Sequence, residues 1–216
     1  MKILQLSDVH GSKRAASSAA ELARREGVDL IVLAGDVTTF GTVKEVAEIL
    51  KALSSSGVQL VYVPGNCDPP ELLRNDVGLE KVVNVHSRVV SIGGIRVGGI
   101  GGGLAGGPRS WIDLTEEEIQ EVIDSLGKVD LLVSHTPPHG SGADYLGGRH
   151  VGSVAVREYC LKAEPVAVSC GHIHEARSVS KLGRTLVVNA GPAKGGNAAL
   201  LEIKGNEAKA ELMRLF

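Results

Sequence analysis

Short apolar runs alternate with amphipathic stretches through the first third of the chain. The apolar runs lie at residues 3–6, 29–34 and 58–63 and predict three buried strands. The stretches at 12–25 and 43–53 carry apolar residues at helical spacing, and Gly27 follows the first of them. This strand–helix order predicts parallel pairing through crossover helices.

The middle of the chain has a different pattern. Residues 82–90 and 94–100 are short and rich in Val and Ile, and we expect them to be antiparallel strands of a meander. Thr115 and Glu118 have the spacing of a capping box, which predicts a helix extending to about residue 126.

The last part returns to strand and helix alternation. A Gly- and Pro-rich loop is expected at 135–151, and a helix at 153–162. Further strands are predicted at 130–133, 166–169, 177–179, 185–188, 198–203 and 208–214. Because there is no internal repeat and no stretch long enough to be a linker, we expect residues 1–216 to form one domain.

Composition limits the classes of function. The chain has 216 residues, of which 43% are hydrophobic and 22% charged, and this balance argues against disorder. The formal charge is −2, with no basic excess to attract nucleic acid, and only 3% of residues are aromatic. A nucleic-acid partner is therefore not expected.

No segment indicates a membrane or secretory protein. The longest apolar runs are strand-sized, and the N-terminus lacks the apolar region of a signal peptide. The three cysteines are odd in number and widely spaced, so no disulfide framework is expected. These features favour a cytoplasmic protein without a membrane partner.

Polar residues able to bind metals follow five of the apolar runs. Because ligands bind beyond the carboxyl ends of strands in open α/β sheets, we expect these side chains to converge. They are Asp8, His10, Asp36, Asn66, His135, His172 and His174.

The types and number of these side chains predict a metal centre. Imidazole, carboxylate and amide ligands suit Mn, Fe, Zn, Co or Ni, and Mn is our expectation. Seven ligands exceed one tetrahedral site but suffice for two ions about 3.5–4 Å apart that share a carboxylate. Asp36, alone on its loop, is the expected bridge. Two such ions generate a bridging hydroxide near neutral pH and clamp a phosphate ester.

Five sequence blocks resemble the calcineurin-like metallophosphoesterases. Their order and approximate spacing agree with that family, and they are Asp8-Val9-His10, Gly35-Asp36, Gly65-Asn66-Cys67-Asp68, Ser134-His135-Thr136-Pro137-Pro138 and Gly171-His172-Ile173-His174. The resemblance implies an α/β fold, a four-layer α/β/β/α sandwich of two mixed β-sheets flanked by helices, in which the tail completes the second sheet.

The resemblance also implies how the ligands are divided. One metal ion would be held by Asp8, His10, Asp36 and His174. The second would be held by Asp36, Asn66, His135 and His172.

Cys67 departs from the pattern of many family members, which have histidine there to protonate the leaving oxygen. Some small phosphodiesterase-like members resemble this chain in having Asn-Cys-Asp. The thiol can donate a proton, but next to two cations it tends to ionise or coordinate. His139 and His150 are the other potential donors.

Several other residues have simpler structural interpretations. Asp68 is expected to make local hydrogen bonds, and His86 to be structural or on the surface. Cys160 and Cys170 are expected in the core. The glycines at 101–103 are not expected to bind phosphate, and Arg109 and Trp111 are interpreted as residues of an exposed loop, although both could border the substrate cleft.

The expected activity is hydrolysis of phosphodiester or phosphomonoester bonds by the bridging hydroxide, with diesters favoured. Asp36, Asn66, His135 and Cys67 are the expected catalytic residues, and the partner is a small phosphate ester. The alternative is a non-catalytic scaffold or binding protein of the same fold, but the complete ligand set favours an enzyme. Edge strands in a two-sheet fold make a homodimer plausible.

Overall fold

The computed structural model describes residues 1–107 and 110–216, and its regular elements follow the alternation expected from the sequence. The helices are α1 (Lys13–Glu26), α2 (Val43–Ser54), α3 (Glu116–Leu126) and α4 (Val154–Ala163). The strands of the amino-terminal half are β1 (Lys2–Leu6), β2 (Leu30–Ala34), β3 (Gln59–Val63), β4 (Val82–Asn84), β5 (Val89–Ile92), β6 (Ile95–Ile100), β7 (Gly103–Leu104) and β8 (Asp113–Leu114). The remaining strands are β9 (Leu131–Ser134), β10 (Tyr145–Leu146), β11 (Arg149–His150), β12 (Ala167–Cys170), β13 (Ser178–Leu182), β14 (Thr185–Asn189), β15 (Asn197–Lys204) and β16 (Glu207–Arg214).

The longer strands form two six-stranded mixed sheets. The first has the order β16-β15-β1-β2-β3-β4, and β1 to β4 are parallel. The second has the order β13-β14-β12-β9-β6-β5, with a parallel centre and antiparallel edges. The parallel strands of each sheet end at the same edge, which brings the loops that follow them together.

Three apolar cores separate four layers. Along β2, Leu30, Val32 and Ala34 face the second sheet, whereas Ile31 and Leu33 face α1 and α2. A third core lies between the second sheet and the helices α3 and α4. Continuous apolar strands are therefore required, since both faces of each central strand are covered. The structure confirms the α/β/β/α sandwich.

Side-chain caps begin the helices at the expected places. Ser12 and Ser153 accept hydrogen bonds from backbone N–H groups in the first turns of α1 and α4. Thr115 and Glu118 form the predicted capping box of α3, and Gly27 ends α1 in the left-handed conformation.

One predicted strand is wrong. Residues 82–90 are not a single strand of a meander, because β4 pairs with β3 in the first sheet and β5 pairs with β6 in the second. The amide of Asn84 donates to the carbonyl oxygens of Leu72 and Asn75, and its Oδ1 accepts from the His86 N–H, which turns the chain towards the other sheet. The antiparallel pairing of β5 with β6 is confirmed.

The tail is also divided differently from the expectation. Only β13 and β14 join the second sheet, whereas β15 pairs with β1 in the first sheet and β16 pairs with β15. The turn before β15 directs the chain there, because the Ala193 N–H donates to the Ser7 carbonyl oxygen at 2.8 Å.

Two small strand pairs were not predicted. β7 pairs with β8, and β10 pairs with β11 inside the stretch interpreted as a loop at 135–151. Each strand has two residues, too few for an apolar period to show in the sequence. None of the described helices combines the length and apolar character needed to cross a bilayer.

Candidate metal centre

The loops after β1, β2, β3, β9 and β12 converge at the shared edge of the two sheets. Backbone hydrogen bonds connect them: the Asp8 N–H donates to Gly35 O at 3.0 Å, and the His10 N–H donates to Asp36 O at 2.9 Å. Across the sheets, the Gly171 N–H donates to His135 O at 3.2 Å. The side chains predicted from separate strand ends therefore face one another.

Four of the predicted ligands have left-handed backbone conformations. The φ angles are 54° at Asp8, 48° at His10, 50° at Asp36 and 67° at His172. Non-glycine residues rarely adopt this conformation, and such strain is concentrated at functional sites.

The glycines that precede the ligands allow the loops to approach closely. A Cβ at Gly35 would overlap the His135 ring, and a Cβ at Gly65 would overlap the Asp36 carboxylate. Since the site has no room for these methyl groups, glycine is required there.

A first group of side chains converges near β1. The Nε2 atoms of His10 and His174 are 3.3 Å apart, and His174 Nε2 is 3.2 Å from Asp8 Oδ1. His10 Nε2 lies 3.8 Å from Asp36 Oδ2. His10 is oriented by Thr39, whose hydroxyl is 2.9 Å from Nδ1; no sequence motif identified this contact.

A second group lies on the other side of Asp36. His135 Nε2 is 3.5 Å from Asp36 Oδ1 and 3.0 Å from Asn66 Oδ1. The ring of His172 packs edge-on against that of His135, with centroids 4.9 Å apart. Among the described residues, several His, Asp and Cys side chains form clusters of three whose ligand atoms all lie within 4.8 Å of one another. His172 belongs to none of these clusters.

Asp36 lies between the two groups and is almost fully buried. Its Oδ2 faces His10, whereas its Oδ1 faces His135 and accepts a hydrogen bond from the Cys67 N–H at 2.8 Å. One carboxylate thus presents a different oxygen to each group.

The pKa of Asp8 is lowered by its neighbours. Burial by itself raises this pKa, but the hydrogen bond with His174 and the charge that His135 and His174 carry when protonated outweigh it and bring the pKa to about 2. Asp8 is therefore a carboxylate at neutral pH.

The imidazole groups respond in opposite directions. Burial lowers the pKa of His10, and burial together with His135 lowers the pKa of His172 to about 4. The hydrogen bond to Asp8 raises the pKa of His174. A neutral imidazole presents the lone pair that a metal ion needs.

The donor chemistry fits bound cations. Because the Ala34 carbonyl oxygen can only accept, His135 carries a proton on Nδ1, which lies 2.8 Å from it. In a neutral ring the lone pair of Nε2 then faces the Asn66 and Asp36 oxygens. A cation among these lone pairs removes their repulsion, and a divalent metal ion suits this set of atoms.

Cys67 lies beside the first group. Its Sγ belongs to a cluster with His10 and Asp36 whose ligand atoms all lie within 4.8 Å of one another, and the Asn66 amide donates to it at 3.5 Å. Burial, followed by the nearby Asp36 carboxylate, raises the pKa of the Cys67 thiol.

Asp68 supports the centre without facing it. Its buried carboxylate accepts hydrogen bonds from the backbone N–H groups of Val37, Thr38 and Gly65 and from the Thr38 hydroxyl. Burial, followed by the charge of Asp36, raises its pKa to about 6. These bonds fix the loop after β2 to the loop after β3.

The other residues singled out from the sequence lie around the centre or in the core. His86 is buried and accepts a hydrogen bond from the Gly101 N–H at 2.9 Å, while Cys160 and Cys170 are buried in the third core. Gly101 packs against Pro64, so the glycine run makes room for the loop after β3. Arg109 lies outside the described residues.

Two contacts were missed. His150 Nδ1 lies 2.7 Å from the buried carboxylate of Asp144, and the His139 ring is 5.6 Å away between centroids. The Trp111 N–H donates to the Asn66 carbonyl oxygen at 2.8 Å, which attaches the backbone of this exposed residue to the loop that carries Asn66. Neither contact leaves a spacing signal in the sequence.

Known proteins are similar to this chain in sequence and in fold. The family model described as the calcineurin-like phosphoesterase superfamily domain matches residues 1–205. The uncharacterized protein MJ1162 of Methanocaldococcus jannaschii is 35% identical over 201 residues, which cover 89% of this chain and 88% of that protein.

Two further similarities are weaker in sequence. A probable glycerophosphodiester phosphodiesterase, GpdQ, of Arcobacter nitrofigilis is 27% identical over 86% of this chain and 69% of its own length. The crystal structure of TT1561 of Thermus thermophilus has a TM-score of 0.83 at 24% identity and covers 100% of this chain and 99% of that one. With the family model matching almost the whole length, the chain belongs to the calcineurin-like phosphoesterase superfamily.

Proposed function

We propose that this protein is a dinuclear metal-dependent phosphoesterase. The observation that carries the proposal is the position of Asp36, whose Oδ2 faces His10 and whose Oδ1 faces His135. A carboxylate that presents one oxygen to each side can be shared by two ions about 3.5–4 Å apart.

Each group then supplies one binding site. Asp8, His10, Asp36 and His174 would hold one ion, and Asp36, Asn66, His135 and His172 would hold the other. Imidazole, carboxylate and amide atoms accept Mn, Fe, Ni, Co or Zn, and Mn is the ion we propose. When bound, these ions lower the pKa of water and polarise a phosphoryl oxygen.

The protein residues orient the centre and strengthen its attraction for cations. The hydrogen bond from His135 to Ala34 aims Nε2 at Asn66 and Asp36, and Thr39 does the same for His10. The burial of Asp8 and Asp36 keeps both carboxylates in a medium where their attraction for cations is strong.

The leaving oxygen needs a proton, and Cys67 is the residue we propose to supply it. Its thiol lies with His10 and Asp36 at the rim of the centre, is half-buried, and is held by the Asn66 amide. His150 is the second candidate because the buried Asp144 fixes its Nδ1 and leaves Nε2 unconstrained by that contact. His150 is in β11, and the partner strand β10 lies against the turn at residues 174–176, which begins with His174.

We favour a diester over a monoester. The support is the probable glycerophosphodiester phosphodiesterase, which matches 86% of this chain.

The test is hydrolysis of bis-p-nitrophenyl phosphate and p-nitrophenyl phosphate by protein stripped of metal and reloaded with Mn, Fe, Ni, Co, Zn or Mg. We expect turnover that depends on the added ion, is fastest with Mn, and is faster on the diester. Elemental analysis should find two ions per chain.

Two results would overturn the proposal. Turnover that survives chelation would remove the metal mechanism. Two tightly bound ions without turnover on any phosphate ester would favour a binding or scaffold protein.

A further inference from the structure

Trp111 and Phe40 form an aromatic pair beside the metal centre. Their ring centroids are 5.1 Å apart and the rings are tilted by 56°. Trp111 is 47% exposed, although it is the single tryptophan of a chain with only two phenylalanines and three tyrosines. The pair therefore presents a partly exposed aromatic surface, and Trp111 contributes most of it.

Backbone hydrogen bonds attach both residues to the loop that carries the candidate ligand Asn66. The Trp111 N–H donates to Asn66 O at 2.8 Å, and the Phe40 N–H donates to Cys67 O at 2.8 Å. Asn66 faces His135, and Cys67 lies beside Asp36. The backbones of Trp111 and Phe40 are therefore attached to the loop that contributes Asn66 and Cys67 to the metal centre.

Phe40 is held in a conformation that costs free energy. Its φ angle is 54°, in the left-handed region that a bulky residue rarely occupies. Phe40 follows Asp36 by four residues, so this backbone strain belongs to the same loop as the proposed bridge.

A groove of about 580 Å³ lies next to Trp111. Val43, Pro69 and Pro70 form apolar walls together with the indole ring, and Glu71 and Ser110 add polar groups. Two prolines make this wall rigid, which lowers the entropy lost when a ligand binds.

We propose that Trp111 and this groove bind the base of a nucleotide ester whose phosphate lies at the metal centre. The inference rests on the proposed phosphoesterase function and names its substrate class. A nucleobase has the flat face that stacks on indole, and the Glu71 carboxylate can accept from the amino group of adenine, guanine or cytosine. A glycerol substituent has neither feature.

The substrate is a small nucleotide and not a nucleic acid strand. Among its described lining residues, the groove has one aromatic stacking platform, whereas strands are bound along successive aromatic residues in a basic groove. The formal charge of the chain is −2.

The single tryptophan gives a direct binding measurement. We expect AMP to quench the indole emission of the metal-loaded protein with saturation, and adenosine to do so more weakly. Glycerol 3-phosphate should leave the emission unchanged. Equal quenching by AMP, adenosine and glycerol 3-phosphate, or no quenching by AMP, would overturn the proposal. Indole emission that changes only with protein concentration would also overturn it, because it would indicate that Trp111 lies at an interface between copies of the chain.

Substitutions separate this role from the hydrolytic function. In Trp111→Leu we expect KM for thymidine 5′-p-nitrophenyl phosphate to rise roughly tenfold or more relative to KM for glycerophosphocholine, and Trp111→Phe should restore most of the loss. Phe216→Leu, which removes another exposed aromatic side chain, is the matched control and should change neither constant.

The two proposals fail differently. If the wild-type protein hydrolyses no ester but AMP quenches the emission, the phosphoesterase function is wrong and the nucleotide site remains. If both esters are hydrolysed and Trp111→Leu changes the two KM values equally, the nucleotide inference is wrong and the phosphoesterase remains.

Discussion

The imidazole of His135, at the end of one sheet, is hydrogen-bonded through Nδ1 to the carbonyl oxygen of Ala34, at the end of the other, at 2.8 Å. This contact joins the two sheets at the point where their strand-end loops converge, and it fixes which nitrogen of His135 faces Asp36. Fold and chemistry are thus coupled through one side chain.

Gly35→Ala tests this coupling. A Cβ at position 35, where φ is 83°, would overlap the His135 ring, so we expect the ring to move and affinity for metal to fall by roughly 10- to 100-fold. Metal titration followed by calorimetry measures the loss. Gly27→Ala is the matched control, because its φ of 59° imposes similar strain while no atom lies within 4 Å of the added methyl group. Equal effects of the two substitutions would show that strain alone is responsible.

Asp36→Asn tests the proposed bridge. The amide retains the shape of the carboxylate but loses the charge that two cations share, so turnover should fall by more than about 100-fold and bound metal should drop below two ions per chain. Hydrolysis of bis-p-nitrophenyl phosphate and elemental analysis measure these effects. Asp124→Asn, at an exposed position on α3, should match the wild type. Near-normal activity in the Asp36 variant would contradict the bridging assignment.

Asp68→Asn tests the support beneath the centre. The carboxylate accepts four hydrogen bonds, and an asparagine places an NH₂ group against donors that need an acceptor. We expect the free energy of unfolding to fall by about 2–3 kcal/mol and metal affinity to fall by roughly 10- to 100-fold. Denaturant unfolding of the metal-free protein isolates the first effect. Unchanged stability would mean that the two loops are held together by other contacts.

The strand ends could be predicted because their signals are local. Asp8, Asp36, Asn66 and His135 each follow an apolar run, and the parallel order places such residues at one edge of a sheet. The division of residues 82–90 between two sheets could not be predicted, because β4 and β5 have the same Val-rich composition and the turn depends on Asn84 contacts with residues 72 and 75.

Contacts between distant loops were equally hidden. Nothing near Trp111 in the sequence indicates that its N–H donates to Asn66. The sequence also does not show that the two carboxylate oxygens of Asp36 face different histidines. These features arise from the way the loops pack, after the strands have set their starting points.

His86→Asn tests a pH effect remote from the metal. Burial lowers the pKa of His86 to about 4, and its Nδ1 accepts from the Gly101 N–H. Between that value and the usual 6.5, the unfolded chain binds more protons than the folded protein, so stability should fall as the pH drops from about 6.5 to about 4. The Asn variant keeps an acceptor and should lose less stability over this range, by up to about 3 kcal/mol.

Chemical unfolding at several pH values measures this difference, and turnover of the variant should stay near wild type at neutral pH. Identical pH profiles for the variant and the wild type would show that His86 titrates in the folded protein as it does in the unfolded chain.

Cys67→His and His150→Gln together identify the proton donor. If protonation of the leaving oxygen limits the rate and Cys67 supplies it weakly, Cys67→His should raise turnover most for diesters with poor leaving groups, because good leaving groups depart without a proton. His150→Gln should then have little effect. The measurement is the dependence of kcat on leaving-group pKa in a series of aryl diesters. Removing the true donor makes the rate more sensitive to the leaving group. If kcat depends more steeply on leaving-group pKa in His150→Gln than in the wild type, while Cys67→Ser leaves this dependence unchanged, the proton comes from the Asp144–His150 pair instead.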